Sequence, residues 1–323
     1  MEITLKKIKI KGGTEEKRRV FSSVWRQIRK GWQLYLLLAL PLAWLAVFQY
    51  YPMYGAQIAF RDFLPGNGIW ASPWVGLDNF VRFFNSPMFE RLMKNTLGLS
   101  AYSLLVGFPI PIIFALSLNQ LRPGGFKNFI QLVSYAPYFI STVVLVGMMM
   151  QFLDLRFGPI NQLIKALGGA PIQFMGSAEL FPSVYVWSGV WQSTGFNTII
   201  YLATLTTIDP ALHEAALVDG ANRMQRIWHI DVPGILPVAA TLLILNMGQL
   251  LNVGFEKTYL MQNTLNLSTA EVISTYVYKV GLAGGMSNFS YASAIGLFNS
   301  LIGLVLLLIA NRLSKRFTDS SLF

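Results

Sequence analysis

The chain has 323 residues, of which 54% are hydrophobic and 12% charged, with a mean hydropathy of +0.49 and a formal net charge of +10. Soluble domains carry about 25% charged residues; so little charge cannot cover this much apolar surface in water, whereas lipid tails solvate it. Ten of the 25 Lys and Arg lie between Lys6 and Lys30, directly ahead of a long apolar run. That placement is an orientation signal with the positive end in the cytoplasm, and it excludes nucleic acid as the reason for the charge. The absence of cysteine excludes disulfides and thiolate sites.

Residues 1–30 form a basic cytoplasmic tail and residues 31–323 a membrane domain. Within the tail, Val20, Phe21, Val24, Trp25 and Ile28 recur at helical spacing among Lys17, Arg18, Arg26, Arg29 and Lys30. This reads either as an amphipathic helix lying on the bilayer or as an extension of the first span. The first apolar run, Trp32–Tyr51, is long enough for the roughly 30 Å hydrocarbon core and reads as a retained span. Five more follow: Thr96–Leu118, kinked at Pro109 and Pro111, then Phe129–Phe152, Val184–Ile208, Ile235–Leu260 and Tyr291–Leu313. The outer loop 54–93 is expected to fold against the outer surface. The loop 154–182 carries Ile160, Leu163, Ile164 and Leu167 at helical spacing before Gly168-Gly169, which predicts a short helix. Six spans place both termini on one side. Seventeen of the 25 basic residues then fall inside, among them Arg122, Lys127, Arg223, Arg226 and Arg312, and eight fall outside.

Between spans four and five lies the most informative stretch, a loop over 209–237. Asp209-Pro210 fits a helix start, with Asp as N-cap and Pro at the first helical position. Two turns over Ala211–Val218 should stop at Gly220, which can take positive φ. Ala221–Ile230 reads as a second short helix, closed by Pro233 and Pro237. Two short helices around a glycine make a compact knob on a membrane domain.

Glu214-Ala215-Ala216, three residues, Gly220, nine residues, then Ile230-Asp231-Val232-Pro233 resembles the Glu-Ala-Ala…Gly…Ile-x-Leu-Pro signature of permease subunits of binding-protein-dependent ABC importers. Val232 stands where the family usually has Leu. The resemblance implies a type I ABC importer transmembrane domain of six helices. It also implies that the knob docks on an ATPase subunit through Glu214, Ala215, Ala216, Asp219, Gly220, Ile230 and Pro233. The stretches Tyr51-Pro52-Met53-Tyr54-Gly55, Ile58-Ala59-Phe60-Arg61-Asp62 and Ser72-Pro73-Trp74-Val75-Gly76-Leu77 are similar to the branch of sugar-importer permeases that handles complex saccharides. The likeness runs from about residue 30 to the end.

That resemblance implies a multi-pass protein of the bacterial inner membrane. Its partners would be a second homologous permease, two ATP-binding cassette subunits and an external solute-binding protein. Its substrate would be an oligosaccharide, an acidic, alginate-like one in particular, with neutral oligosaccharides as the alternative. The chain holds no Gly-x-x-x-x-Gly-Lys-Ser/Thr loop and no Gly-Lys pair. It is therefore expected to bind no cofactor itself, with ATP and Mg²⁺ on the partner subunits. A membrane enzyme and a stand-alone channel remain as readings of another class. Against an enzyme, Asp62, Asp78, Glu90, Asp154, Glu179, Glu256 and Glu271 are scattered. His213 and His229, sixteen apart and without Cys, read as surface or interface residues, not metal ligands.

Polar residues inside spans are candidates for a substrate path, because facing lipid is unfavourable for them. Asn246, Gln249, Asn252 and Glu256 fall within roughly a 120° arc if span five is one helix, and Trp187, Trp191, Thr194 and Asn197 do the same on span four. Amides suit sugar hydroxyls and aromatic faces suit pyranose rings. Interhelical hydrogen bonding and interfacial anchoring are the alternative uses. Lys257, Lys279, Arg61 and Arg82 lie toward the outside, where they could attract uronates.

Overall fold

The computed structural model describes residues 30–284 and 288–318, with side chains to Arg312. The basic tail and its amphipathic segment lie outside the described residues. The chain divides into two units, one up to Gln57 and one from Ile58. Among the described residues the protein is helical, with a single isolated β-bridge between Arg61 and Trp74.

The described part of the first unit is most of α1 (Trp32–Phe60), whose α-helical turns give way to a π turn at Ala46–Tyr50. In the second unit, Ser86 caps the start of α2 (Pro87–Asn119), accepting from the Met88 N–H at 3.2 Å. The α2 ladder is interrupted at Phe108, ahead of Pro109, because a proline cannot donate. The helix therefore starts well before Thr96, and its ladder is interrupted just ahead of the first of the expected prolines.

The expected third span is not one straight helix. α3 (Gly125–Phe139) and α4 (Thr142–Phe152) are bent by 101° at Ile140-Ser141. Pro137 sits in a 3-10 turn at the end of α3, and the Ser141 hydroxyl caps α4 by accepting from Val144 N. The carbonyl of Ile140, left outside both ladders, accepts from Gln192 Nε2 at 2.8 Å. The predicted outer-loop helix is present as α5 (Pro159–Ala166), ended by Gly168 at φ +82. Asn161, fully buried, ties that loop down by donating to the carbonyls of Leu153, Asp154 and Ile172.

α6 (Phe181–Leu205) packs on the second half of α2, where Thr198 Oγ1 donates to the Pro111 carbonyl at 3.2 Å. The loop segment α7 (Pro210–Val218) follows. α8 (Arg223–Gly248) is continuous through Pro233, so the expected separate helix over Ala221–Ile230 is the first part of this span. A π turn over Ile227–Asp231 precedes Pro233, a local adjustment of the ladder in the turn where proline lacks a donor.

The expected fifth span also ends early. α8 stops at Gly248, a turn over residues 249–254 follows, and α9 (Phe255–Met261) is a separate helix. α10 (Ile273–Tyr278) leads to α11 (Phe289–Thr318), which packs along α8. Gly248 lies against Leu307 there, too close for a Cβ without movement.

Among the described residues, four helices are long and apolar enough to cross a membrane: α1, α2, α8 and the Phe289–Arg312 part of α11. The bent pair α3–α4 makes a fifth if it is one span. The remaining expected span, the fourth, is α6. Its 25 residues reach roughly 37 Å, but Ser, Gln, Thr and Asn dilute its apolar character. One core joins Leu99, Leu145, Met149, Val186 and Val253 from α2, α4, α6 and the turn after α8. Another joins Ala115, Tyr201, Leu205, Ile235 and Ala239 from α2, α6 and α8.

Candidate functional site

A cavity of about 670 Å³ lies between α2, α6 and the end of α8. Its polar lining is Ser100 and Ser103 from α2, Tyr185, Ser193, Asn197 and Tyr201 from α6, and Asn246, Gln249 and Asn252 at and beyond the end of α8. Among the described residues, no lysine, arginine, aspartate or glutamate lines it. Hydroxyls and amides both donate and accept, so the chamber can exchange hydrogen bonds with a polyhydroxylated guest without a fixed charge.

The break after α8 arranges the amides. Only Asn246 is helical; Gln249 is the C-cap and Asn252 lies in the turn, so the three do not share a single helical arc. Asn252 Nδ2 donates to Gln249 Oε1 at 2.7 Å, which ties these two cavity-lining amides to each other. Glu256 is exposed in the first turn of α9 and does not line the cavity.

On α6 the cavity face is Tyr185, Ser193, Phe196, Asn197, Ile200 and Tyr201. At about 100° per residue it is centred roughly a third of a turn from the expected arc, with Asn197 common to both. Trp187 and Trp191 are about half exposed on the neighbouring face, and Trp187 Nε1 donates to Tyr102 Oη at 3.1 Å. Thr194 is outside the cavity lining, and its hydroxyl is buried without a partner. Ser100, Ser103 and Gly107 were missed in the sequence, although their i, i+3, i+7 spacing marks one face of α2.

The outer cations are engaged elsewhere. Lys257 is buried, its Nζ donating to the Tyr185 carbonyl at 2.8 Å and lying 4.6 Å from that residue's ring centroid. Lys279 pairs with Glu271 at 3.0 Å. The Arg61 guanidinium donates to the carbonyls of Trp70 and Ser72, with its carbon 5.5 Å from the ring centroids of both Trp70 and Trp74. Arg82 lies over Tyr291 at 4.7 Å. A ring of free cations for uronates is therefore not what these four form: each is held by carbonyls, aromatic faces or a carboxylate.

The knob is built from local signals. Asp209 Oδ1 accepts from Ala211 N at 2.9 Å and starts α7. Gly220, at φ +80, ends it: Gly220 N donates to the Leu217 carbonyl and Ala221 N to the Ala216 carbonyl. Asn222 and Gln225 then form a reciprocal capping box that starts α8. Glu214, Ala215, Asp219 and Pro233 are exposed, and Ala216 and Ile230 half-buried. Leu212, Leu217, Val218, Met224 and Trp228 are exposed beside them, a cluster of apolar side chains on a projecting element.

A helical membrane domain with a chamber between its spans and an exposed, partly apolar knob defines a transport permease. The chain matches, over residues 107–319, the family of binding-protein-dependent transport system inner membrane components. It is 44% identical over 290 residues to Protein LplB of Bacillus subtilis (strain 168), covering 90% of this chain and 91% of that protein. It is equally 44% identical over 290 residues to the polygalacturonan/rhamnogalacturonan transport system permease protein YteP of the same organism, covering 90% of each. Among solved structures, it is similar to a chain of a bacterial ABC transporter involved in the import of the acidic polysaccharide alginate, with a TM-score of 0.85, 40% identity, and coverage of 92% of this chain and 99% of that one. This chain belongs to the ABC-transporter permease family, as an inner membrane component of a binding-protein-dependent transport system.

Proposed function

We propose that this chain is one of two related permease subunits through which an importer moves an oligosaccharide, an acidic one in particular, into the cell. The observation that carries the substrate class is the chamber lined by hydroxyls and amides between α2, α6 and α8. Its chemistry fits sugar hydroxyls. One similar transporter imports the acidic polysaccharide alginate and one relative is named for polygalacturonan and rhamnogalacturonan; alginate and polygalacturonan are chains of uronic acids, which favours an acidic saccharide. Because no cation lines the chamber, the carboxylates would be met by amide and hydroxyl donors. Such contacts hold a guest loosely enough to release it. The same uncharged lining supports the second reading, a neutral oligosaccharide.

Import needs energy from elsewhere. In this reading ATP and Mg²⁺ are used by two ATP-binding cassette subunits, and a solute-binding protein delivers the sugar from outside. A crystal structure of the alginate transporter with an alginate pentasaccharide-bound periplasmic protein supports that arrangement by likeness. The knob would seat Glu214, Ala215, Ala216, Asp219, Gly220, Ile230 and Pro233 against one ATPase, with Leu212, Leu217 and Val218 supplying apolar area. Both termini would lie in the cytoplasm, on the knob's side.

The test is ATPase stimulation of the reconstituted complex with its binding protein. Acidic oligosaccharides such as oligogalacturonates or alginate oligosaccharides are expected to stimulate it. Stimulation by neutral sugars only would remove the acidic reading, and stimulation by amino acids only would remove the carbohydrate reading.

A further inference from the structure

One carboxylate joins three segments at the base of the knob. Asp231, fully buried at the end of the π turn within α8, places Oδ1 3.3 Å from His213 Nε2 of α7. Its Oδ2 accepts from Gln120 Nε2 at 3.2 Å. Gln120 is the C-cap of α2. The three residues come from the end of one span, the knob helix and the π turn of another span, with Gln120 and Asp231 111 positions apart.

Directly beyond this contact, Ala115 of α2, Tyr201 and Leu205 of α6, and Ile235 and Ala239 of α8 form a single packed cluster. Ile208, just after α6, reaches Gly234, where an added Cβ would lie 2.5 Å from its Cδ1. These are the same three spans that wall the 670 Å³ chamber. A buried carboxylate deprived of its donors is strongly disfavoured, so the contact resists separation of its parts. α7 has no buried residue. The knob helix therefore contributes no fully buried side chain to an apolar core, and His213, whose Nε2 lies within ion-pair distance of Asp231 Oδ1 at 3.3 Å, is a polar contact between it and the spans.

We infer that His213, Asp231 and Gln120 form a clamp that transmits movement of the ATPase-docking knob to the walls of the transport chamber. This rests on the docking role proposed above. The three are positioning residues: none lines the chamber, and His213 lies on the half-buried side of α7 while Glu214 is exposed. When the knob is displaced, the clamp drags the ends of α2 and α8 with it. The close-packed cluster passes that displacement on, because packed interfaces shift between discrete arrangements and do not stretch. Without the clamp the ATPase could still bind the knob and cycle, but the spans would follow poorly.

The experiment uses the full complex in proteoliposomes, measuring sugar transported per ATP hydrolysed together with recovery of ATPase subunits on purification. Asp231→Asn and His213→Ala are each expected to lower transport per ATP at least tenfold while ATPase subunits co-purify in wild-type amounts. The double variant is expected to be no worse than either single one, since each breaks the same link. Additive losses, or wild-type transport per ATP in both single variants, would overturn the clamp. If Asp231→Asn fails to assemble, His213→Ala and Gln120→Ala decide alone: lowered coupling supports the clamp and unchanged coupling removes it. Glu214→Lys separates the two ideas. If it abolishes ATPase recovery while the clamp variants couple normally, only the clamp falls. If it too leaves recovery and coupling intact, the docking role has failed.

Discussion

Gly195 of α6 lies directly on the backbone carbonyl of Ser134 in α3, with no room between them for a Cβ. Between membrane helices the approach of backbones through small residues is a main source of association, because lipid is as apolar as the side chains. Ser134 also returns its hydroxyl to the Ile130 carbonyl, which keeps that surface of α3 flush.

Gly195→Ala is therefore expected to force α6 off α3. Overpacking of this kind costs roughly 1–3 kcal/mol. Gly98→Ala and Gly147→Ala are the controls, since both lie in helices with nothing near an added Cβ. A thermal unfolding scan of the purified complex should show a lower midpoint for Gly195→Ala and an unchanged one for the controls. Equal midpoints in all three would show that the α3–α6 contact is not tight.

The bend between α3 and α4 gives a second test. Gln192 supplies the donor that the Ile140 carbonyl lost when the ladder broke. Gln192→Leu leaves that carbonyl unsatisfied, which costs about 1–3 kcal/mol where water cannot reach. Loss of stability should be confined to the bend, seen as faster amide exchange at residues 139–144 in α3–α4. Unchanged exchange there would mean that another donor or water satisfies the carbonyl.

The knob was legible because its signals are local: Asp209-Pro210 starts a helix and Gly220 stops it within a dozen residues. The breaks were not. Leu250, Leu251 and Val253 keep hydropathy high across the turn after Gly248, and Val143, Val144 and Leu145 do so after the bend at Ile140. Hydropathy reports solvent preference and is blind to whether the backbone ladder continues. The facing of α6 was missed for another reason. Its buried side is chosen by Gly195 against Ser134 and Thr198 against Pro111, contacts between residues 61 and 87 positions apart. The clamp was hidden likewise, since Gln120 and Asp231 are 111 positions apart.

Lys257 and Lys279 provide a third prediction, in which little should happen to selectivity. Lys257 is directed into α6 at Tyr185, and Gly189 leaves space for its amine, which lies 3.2 Å from where a Cβ would be. Lys279 is neutralised by Glu271. Lys257→Met keeps the volume and removes a buried charge, a change that is often neutral or stabilising. Neither Lys257→Met nor the pair Lys279→Met, Glu271→Gln is expected to change the ranking of acidic over neutral oligosaccharides in ATPase stimulation. A reversal of that ranking would restore these lysines as uronate contacts.

The knob itself offers the last prediction, and it separates backbone conformation from docking. Gly220 has φ +80, yet among the described residues nothing lies within 4 Å of the Cβ it lacks. Within the chain, then, only the left-handed conformation requires glycine, and Asn tolerates that conformation far better than a β-branched residue does. Gly220→Val should strain the turn by roughly 1–2 kcal/mol and loosen α7. Gly220→Asn should leave the turn intact. Glu214→Lys acts differently: Glu214 is exposed, so reversing its charge should leave the fold unchanged and weaken the partner's grip. Purification of the complex through a tag on this chain gives the readout, as ATPase subunit recovered per permease. Expected recovery is near wild-type for Gly220→Asn, reduced for Gly220→Val and lowest for Glu214→Lys, all with full-length permease in the membrane. If Gly220→Asn fails as badly as Gly220→Val while the permease remains folded, the glycine is needed for close approach of the ATPase and not for its φ. If Glu214→Lys binds as wild-type does, the exposed acid is not part of the docking face.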